Sequence, residues 1–465
     1  MRIIPRNMAL QARAPALLES LRGRHLFVAF FLIALVPRLV VFNIAIHRER
    51  PVYTWQDSFG YLTLAQNLAE GNGFQQGGAP QYHWPPGYPG FLALLYVIGI
   101  ASPGQLAGAL IVQVLLASLV VGMVSLLAQR LGGTPAALLA GALMALEPSS
   151  IAHANLILSE TLFTFLLLVA ILAWIWWWDS PRTSRLLIFA GLVGLLPVVR
   201  PVATYLWIPI LLLLLFARPP SVGRTKTLVV FVTLATIPIA AWTLRNYIVI
   251  GEPIFSEARS ENEAKFARAV ADLAGEPRET TALTQPWQDE FGPDRGMSSR
   301  QVMQARHDYF VSVVTKHPAA ALARLSLTAA QGLGVPDGRL PDLLLTEVPG
   351  FQGGSVPDRL RWLLRLRWLG AHLLLGMVVS VGGVLALPPL MLRARTWPRA
   401  KQALLGLVIL PIPYMLLLSA LTMFQSGRYR VPVIPLLAIT LSCALLGHLG
   451  ARAEGVTRGD PPKET

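Results

Sequence analysis

Charge is what this chain has least of. Asp, Glu, Lys and Arg make up 14% of its 465 residues, against about 25% in an ordinary soluble domain. Cysteine is almost missing: Cys443 stands alone inside an apolar run. An intrachain disulfide is therefore excluded, and Cys443 reads as a small buried hydrophobe. Acids are the scarcer charges, 25 against 39 bases, for a net +14. That excess does not imply a nucleic-acid partner, because most of the bases sit in short loops between apolar runs, where the positive-inside rule puts them. No GxxxxGK[ST] or other nucleotide-binding motif is present. The apolar run behind the basic N-terminal arm is too long for a signal peptide and lacks a clear small-residue cleavage site. No clear internal repeat of the kind common in transporters is visible.

What is there is hydrophobic: 54% of the residues, gathered into runs near the roughly 20 residues that cross a bilayer. The reading is an all-α polytopic membrane protein of about ten transmembrane helices. It has a large first outer loop and a polar outer region between spans seven and eight. Residues 1–25 form a cytoplasmic basic arm, with Arg2, Arg6, Arg13, Arg22 and Arg24 against Glu19. Residues 26–250 form an N-terminal transmembrane module that includes the outer loop 47–104, and 251–367 are the polar outer region. Residues 368–450 hold the last three spans, and 451–465 are a cytoplasmic tail. Pro37 and Arg38 are expected to interrupt the first span, with Arg38 facing the bundle or snorkelling outward. Trp174, Trp176, Trp177 and Trp178 read as an interfacial belt. Residues 186–216 read as two short spans that turn at Arg200-Pro201. Short helices are expected over 300–316 and 319–332.

The stretch from Trp55 to Pro89 is too polar for lipid. Asp57 opens a short amphipathic helix in which Tyr61, Leu64, Ala65 and Leu68 recur at helical spacing, and Gly71 and Gly73 end it. His83 stands before the rigid turn Trp84-Pro85-Pro86-Gly87-Tyr88-Pro89. In this topology Asp57, His83, Glu147, Glu160, Arg200, Arg245, Arg428 and Arg430 all fall at one membrane face. An acid among cations there suits a reaction on an anionic lipid headgroup: cations neutralise phosphate, and the acid takes a proton from a nucleophile. The plainer alternatives are ordinary surface charge, an N-cap at Asp57 and a first-turn acid at Glu160.

An acid in the first outer loop, then Tyr and a short helix, then a basic residue before PPGYP resembles the GT-C superfamily of integral-membrane glycosyltransferases. The likeness is to the bacterial branch near the protein O-mannosyltransferases, the aminoarabinose transferase and the core galacturonosyltransferases. LSETLF at 158–163, Arg200-Pro201, WTLRNYIVIGEP at 242–253 and RYRVPVIP at 428–435 add to it. The resemblance implies a glycosyltransferase in a bacterial inner membrane, with its site facing the periplasm or exterior. It would move a sugar from a polyprenyl-phosphate donor to a hydroxyl on a glycan, lipid or protein acceptor, with inversion. Asp57 would be the general base and Glu160 the second-loop acid. His83, Arg245, Arg428 and Arg430 would meet the donor phosphate, although His83 departs from the family's usual Arg or Lys. Tyr61, Tyr88, Arg200, Asn246 and Tyr429 would line the substrate pocket. Asp57 is followed by Ser58 rather than a second acid, so neither a metal nor any other cofactor is implied. A flippase of lipid-linked sugars, or a ligase that moves a whole lipid-linked glycan, are the competing readings.

Overall fold

The computed structural model describes residues 6–47, 54, 56–219, 221–276, 299–334, 367–421 and 430–457. Among these residues the regular structure is helical, apart from a hairpin of two two-residue strands, β1 (Gln75–Gln76) and β2 (Ala79–Pro80), in the loop after the first helix.

Helix α1 (Arg6–Ile46) runs without a break through Pro37 and Arg38, contrary to expectation. The reason lies in what Arg38 meets. Its side chain is fully buried and donates to the carbonyls of Ala34 (2.9 Å), Ala145 (3.3 Å) and Met144 (3.3 Å) and to Ser150 Oγ (2.8 Å). The last two carbonyls of that group belong to the end of another helix, where no intrahelical donor remains for them. Arg38 thus faces the bundle and closes a helix end.

That other helix is α4 (Ala107–Ala145), a hairpin of two arms. Gly133, at φ 77° and ψ −175°, reverses the chain there, a backbone conformation essentially reserved for glycine. The reversal follows from the packing on α1. Gly23 lies on Leu126 and Gln129, and Gly122 lies on Phe27, so the first arm runs antiparallel to α1. Gly141 lies on Phe30 while Arg38 reaches Met144 and Ala145, so the second arm runs parallel to it.

The chain continues through α5 (Pro148–Ala154), α6 (Glu160–Asp179), α7 (Thr183–Val199), α8 (Trp207–Phe216) and α9 (Arg224–Ile250). The turn expected at Arg200-Pro201 does separate α7 from α8, as a short 3₁₀ segment over Pro201–Ala203. The tryptophan cluster is a correction. Trp174 and Trp177 are core residues, with Trp177 stacked on Phe189 and Trp174 against Trp178. Trp176 is exposed, with the Arg185 guanidinium 4.3 Å over its ring. Helical spacing sends consecutive tryptophans to different faces, so only those on the outer face of the bundle can meet lipid.

Beyond α9 stand α10 (Ala258–Ala274), α11 (Ser299–Lys316) and α12 (Pro318–Gly334). The last two match the expected short helices; α10 was not foreseen. Phe266, Ala267 and Val270 of α10 form a small separate core with Val313 and Ala321 of α11 and α12. The final helices are α13 (Arg367–Leu385), α14 (Leu387–Ala394), α15 (Arg399–Ile409), α16 (Pro411–Leu421) and α17 (Ile434–Thr457).

Among the described residues, five segments are long and apolar enough to cross a membrane: Gly23–Ile46, Ala107–Ala145, Glu160–Asp179, Arg224–Ile250 and Arg399–Leu421. A sixth is the pair Leu374–Leu385 and Leu387–Ala394 taken together, bent by 43°. Gly87–Val97, Thr183–Val199, Pro201–Phe216 and Ile434–Gly447 are apolar but shorter. Length and apolarity alone thus single out five or six segments, one of them the two-armed α4, and do not by themselves confirm the expected ten or so spans. Cys443 is buried, as its surroundings required.

The bundle has two unlike ends. At one, Arg130 pairs with Asp179, Lys226 meets Thr183, and Arg393 reaches the carbonyls of Cys443 and Ala444. The other end gathers the first outer loop, the 147–160 turn, Arg200, the end of α9 and the start of α17.

Candidate active site

Helix α2 (Gln56–Ala69) carries Asp57 in its first turn. Tyr61, Leu64 and Ala65 are buried and Leu68 packs on the core, which is the face their spacing called for. Ser58, fully buried, donates to Ile157 O at 2.8 Å and so ties the Asp57 turn to the segment that leads into α6. The Trp84 ring lies on Gly60, where a Cβ would come within 2.2 Å of it. Only glycine admits that contact, and it folds the His83–Pro89 turn back over α2. Asp57 itself is half-buried and lies inside the helix, one place past its first residue rather than at the cap.

The turn then enters α3 (Gly87–Val97). Tyr88 is fully buried, with its hydroxyl donating to Gln113 Oε1 (2.7 Å) and Gln113 Nε2 donating to Leu156 O (2.7 Å). Tyr61 meets Tyr88 edge-on at 4.9 Å and Trp84 at 5.6 Å. Both tyrosines, expected in a substrate pocket, instead form an aromatic wedge under the site. Burying a ring with its hydroxyl satisfied favours packing over recognition.

Glu160 is fully buried and makes a 2.7 Å ion pair with Arg200 Nη1, which also donates to Ser159 Oγ (3.2 Å). The expected second catalytic acid and pocket arginine are each other's counter-charge in a buried setting. In such a setting an isolated charge is costly and a pair is obligatory.

The cations expected at the donor phosphate have protein partners. Arg245 donates to Gln81 O (2.8 Å), Phe74 O (3.1 Å) and Asn246 Oδ1 (2.9 Å), and lies 4.8 Å over the Trp242 ring. It holds the first outer loop against α9. Asn246, buried rather than pocket-lining, donates to Ile254 O at 2.8 Å and shapes the exit from α9. Arg430 is buried and donates to Leu333 O (3.1 Å) and Ser149 Oγ (3.4 Å), linking the segment before α17 to α12 and α5. His83 sits between two carboxylates, 3.9 Å from Glu257 and 3.8 Å from Glu261. Glu257 is also paired with Arg306 and Glu261 with Lys265, so His83 belongs to a cluster of mutually paired protein charges. Arg428 and Tyr429 lie outside the described residues.

No protein-family model and no curated protein matches the chain. Solved structures do. The archaeal oligosaccharyltransferase AglB from Archaeoglobus fulgidus, in complex with an inhibitory peptide and a dolichol-phosphate, superposes with a TM-score of 0.54 at 14% identity. The match covers 95% of this chain and 52% of that one. The apo form of the A. fulgidus oligosaccharyltransferase gives 0.53 at 14% identity, over 95% and 53%. The chain thus shares the fold of the membrane part of these oligosaccharyltransferases. ArnT from Cupriavidus metallidurans bound to undecaprenyl phosphate overlaps at 14% identity over 94% and 81%, with a TM-score of 0.36, too loose to carry an argument. The chain spans about half the length of the oligosaccharyltransferases it matches.

The structure also brings in groups that no motif marks. Glu257, just before α10, receives Arg306 at 3.0 Å as well as facing His83. Burial pushes the Glu257 carboxyl up, but His83 and then Arg306 outweigh it and hold the group below its ordinary value. Ser256 Oγ donates to His83 O. A groove of about 520 Å³ also opens on the C-terminal half of α9, lined by Thr204, Tyr205, Trp207, Ile239, Thr243 and Tyr247 among others. The signal for the groove was present as helical spacing, since Thr236, Ile239, Ala240, Thr243, Leu244 and Tyr247 share one face of α9. Nothing in the sequence said that this face is left open among the described residues. Among the described residues no three His, Cys, Asp or Glu converge as a metal site.

Proposed function

We propose that the chain transfers a sugar from a polyprenyl-phosphate donor to an acceptor hydroxyl at the outer membrane face. The membrane would be a bacterial inner membrane, crossed about ten times once the shorter apolar helices are included. The observation that carries this reading is the groove. It is apolar, lies open along a membrane-crossing helix, and belongs to the same end of the bundle as Asp57. A hydrocarbon tail fits such a wall, and a polar headgroup then reaches the end that carries the acid. The fold, shared with AglB, which binds dolichol-phosphate in its solved complex, supports the same chemistry.

Asp57 acts as general base. Its carboxylate takes the proton of the acceptor hydroxyl as that oxygen bonds the anomeric carbon. The bond from that carbon to the phosphate oxygen breaks on the opposite face, and the lipid phosphate leaves with the electron pair. The sugar is inverted. The leaving group is already anionic, so protonating it contributes little and neutralising it contributes more. Glu160 and Arg200 do not enter the chemistry; they brace the segment to which Ser58 fastens the Asp57 turn.

The test is Asp57→Asn in single-turnover transfer from a defined polyprenyl-phosphate sugar. Asn is nearly isosteric but has no useful basicity. Folding and membrane insertion should persist while transfer falls by roughly 10²–10⁴-fold, the usual contribution of a general base. Near-normal turnover in the Asn variant would leave Asp57 with a purely structural role. A second reading, transfer of a whole glycan from its lipid carrier, is favoured by the likeness to oligosaccharyltransferases. It predicts that a lipid-linked oligosaccharide outcompetes a lipid-linked monosaccharide as donor.

A further inference from the structure

Between α5 and α6 the chain leaves the helix over residues 155–159, all of them buried. A buried break takes helical partners away from its carbonyls. Inside a membrane bundle such backbone persists only where other protein groups replace them. Here the replacements come from several elements. Leu156 O accepts from Leu158 N (2.8 Å) and from Gln113 Nε2 of α4 (2.7 Å). Ile157 O accepts from Ser58 Oγ of α2 (2.8 Å). His153 O accepts from Thr161 Oγ1 of α6 (3.0 Å), and Asn155 Nδ2 donates to Arg38 O of α1 (3.3 Å). Leu156 and Ile157 are neighbours. Only two soft dihedrals separate adjacent peptide planes, so holding the first carbonyl restricts the aim of the second. That second carbonyl is the anchor of Ser58, the residue after Asp57.

Gln113 is fully buried on α4. Its amide has one orientation that works. Leu156 O is a pure acceptor, so Nε2 must face it, and Oε1 then accepts from the Tyr88 hydroxyl at 2.7 Å. A buried amide is costly unless it is hydrogen-bonded, and both of its polar atoms are engaged here. Tyr88 completes a circuit. Its ring meets Tyr61 edge-on at 4.9 Å, and Tyr61 stands one turn beyond Asp57 on the same side of α2. The turn that carries Asp57 is thus gripped twice from one amide: at Ser58 through the 156–157 backbone, and at Tyr61 through Tyr88.

We infer that Gln113 is a positioning residue for the transfer. Through the carbonyls of Leu156 and Ile157, and through Tyr88, it fixes the turn of α2 that aims Asp57 at the acceptor hydroxyl. This rests on the proposed role of Asp57 as general base and deepens it by naming what orients that base. No motif marks Gln113, which lies in an apolar stretch of α4.

The experiment measures single-turnover transfer from a defined polyprenyl-phosphate sugar by purified full-length variants, with the thermal melting of each. Gln113→Leu, of similar size, removes the donor to Leu156 O. It should slow the transfer step by roughly ten- to a hundredfold, the scale of a misplaced reacting group, and leave the donor concentration for half-maximal rate unchanged. It also strands the Tyr88 hydroxyl and should melt lower. Gln113→Leu with Tyr88→Phe removes both partners of that bond, a change that is often close to neutral for stability. The paired variant should melt nearer the wild type yet transfer as slowly as Gln113→Leu, because Leu156 O still lacks its side-chain donor. Transfer that recovers together with melting would make Gln113 a packing residue and overturn the inference. Coupling to Asp57 is the second readout. Gln113→Leu added to Asp57→Asn should slow transfer no further, since groups that act as one unit are not additive. Losses that multiply overturn the inference too, because Gln113 would then act apart from Asp57. Full transfer by Gln113→Leu, with transfer lost in Asp57→Asn, removes the positioning role alone. Full transfer by Asp57→Asn removes the catalytic assignment, and the positioning role with it.

Discussion

Glu160 and Arg200 show how far a residue's role depends on what surrounds it. Each was a reasonable site residue by position, yet both are buried, 2.7 Å apart, with little room for a substrate. Removing one member of such a pair strands the other charge, which typically costs about 3–5 kcal/mol, whereas replacing both with apolar groups of similar size is often close to neutral. Glu160→Gln should therefore lower the thermal stability of the purified protein markedly, and Glu160→Met with Arg200→Met should recover most of it. A catalytic Glu160 would give the reverse pattern: normal melting in Glu160→Gln, with transfer lost. Arg245 is likewise engaged by protein groups. Its guanidinium holds the carbonyls of Phe74 and Gln81. Arg245→Ala should loosen the first outer loop, seen as faster amide exchange over 74–81, before it changes affinity for a phosphate. A Lys at this position restores the charge but not the fork that spans two carbonyls.

At the scale of elements, α10 is the piece that closes the site, and it does so through acids. His83 lies between Glu257 and Glu261, and Arg306 of α11 completes the contact with Glu257. The Glu257 carboxyl is held below its ordinary value because His83 and Arg306 outweigh burial. A carboxylate whose folded pKa is depressed stabilises the fold above its unfolded pKa, and that contribution is lost as the pH falls through the folded value. The junction between α10 and the 81–84 segment should therefore be tight at neutral pH and open in acid, beginning below about pH 4.5. Hydrogen exchange over 81–84 and 258–270 on an acid titration reads this directly. Glu257→Gln should be looser at neutral pH and flatten the dependence. An unchanged profile in that variant would mean that packing, not charge, holds the junction. The Glu257 pairing joins segments far apart in sequence, so no local spacing announces it.

The whole molecule is organised by its two ends. One carries Arg130, Arg185, Lys226, Arg393 and their neighbours; the other carries Asp57 and the loops over it. Basic loops stay on the cytoplasmic side, so Gln75 should be outside and Arg224 and Arg399 inside. Single cysteines at 75, 224 and 399, in a background with Cys443 replaced, should react with a membrane-impermeant reagent in intact cells only at 75. Labelling at 399 would reverse the last helices. Gly338, also expected outside, lies beyond the described residues.

Composition and periodicity determined the class of this protein. Scarce charge and long apolar runs left only a helical bundle in lipid, because unpaired backbone groups cannot be exposed there. The face of α2 was equally legible, since Tyr61, Leu64 and Ala65 repeat at the helix period. Short-range rules also fixed the helices over 299–316 and 318–334. Only tertiary structure decided which polar groups face a site and which face each other. Arg38 closes the end of α4, Glu160 takes Arg200, Arg245 takes the first outer loop, and His83 takes two glutamates. A sequence lists charges but not their partners, and in a low-dielectric interior the partner determines whether a charge is scaffold or chemistry.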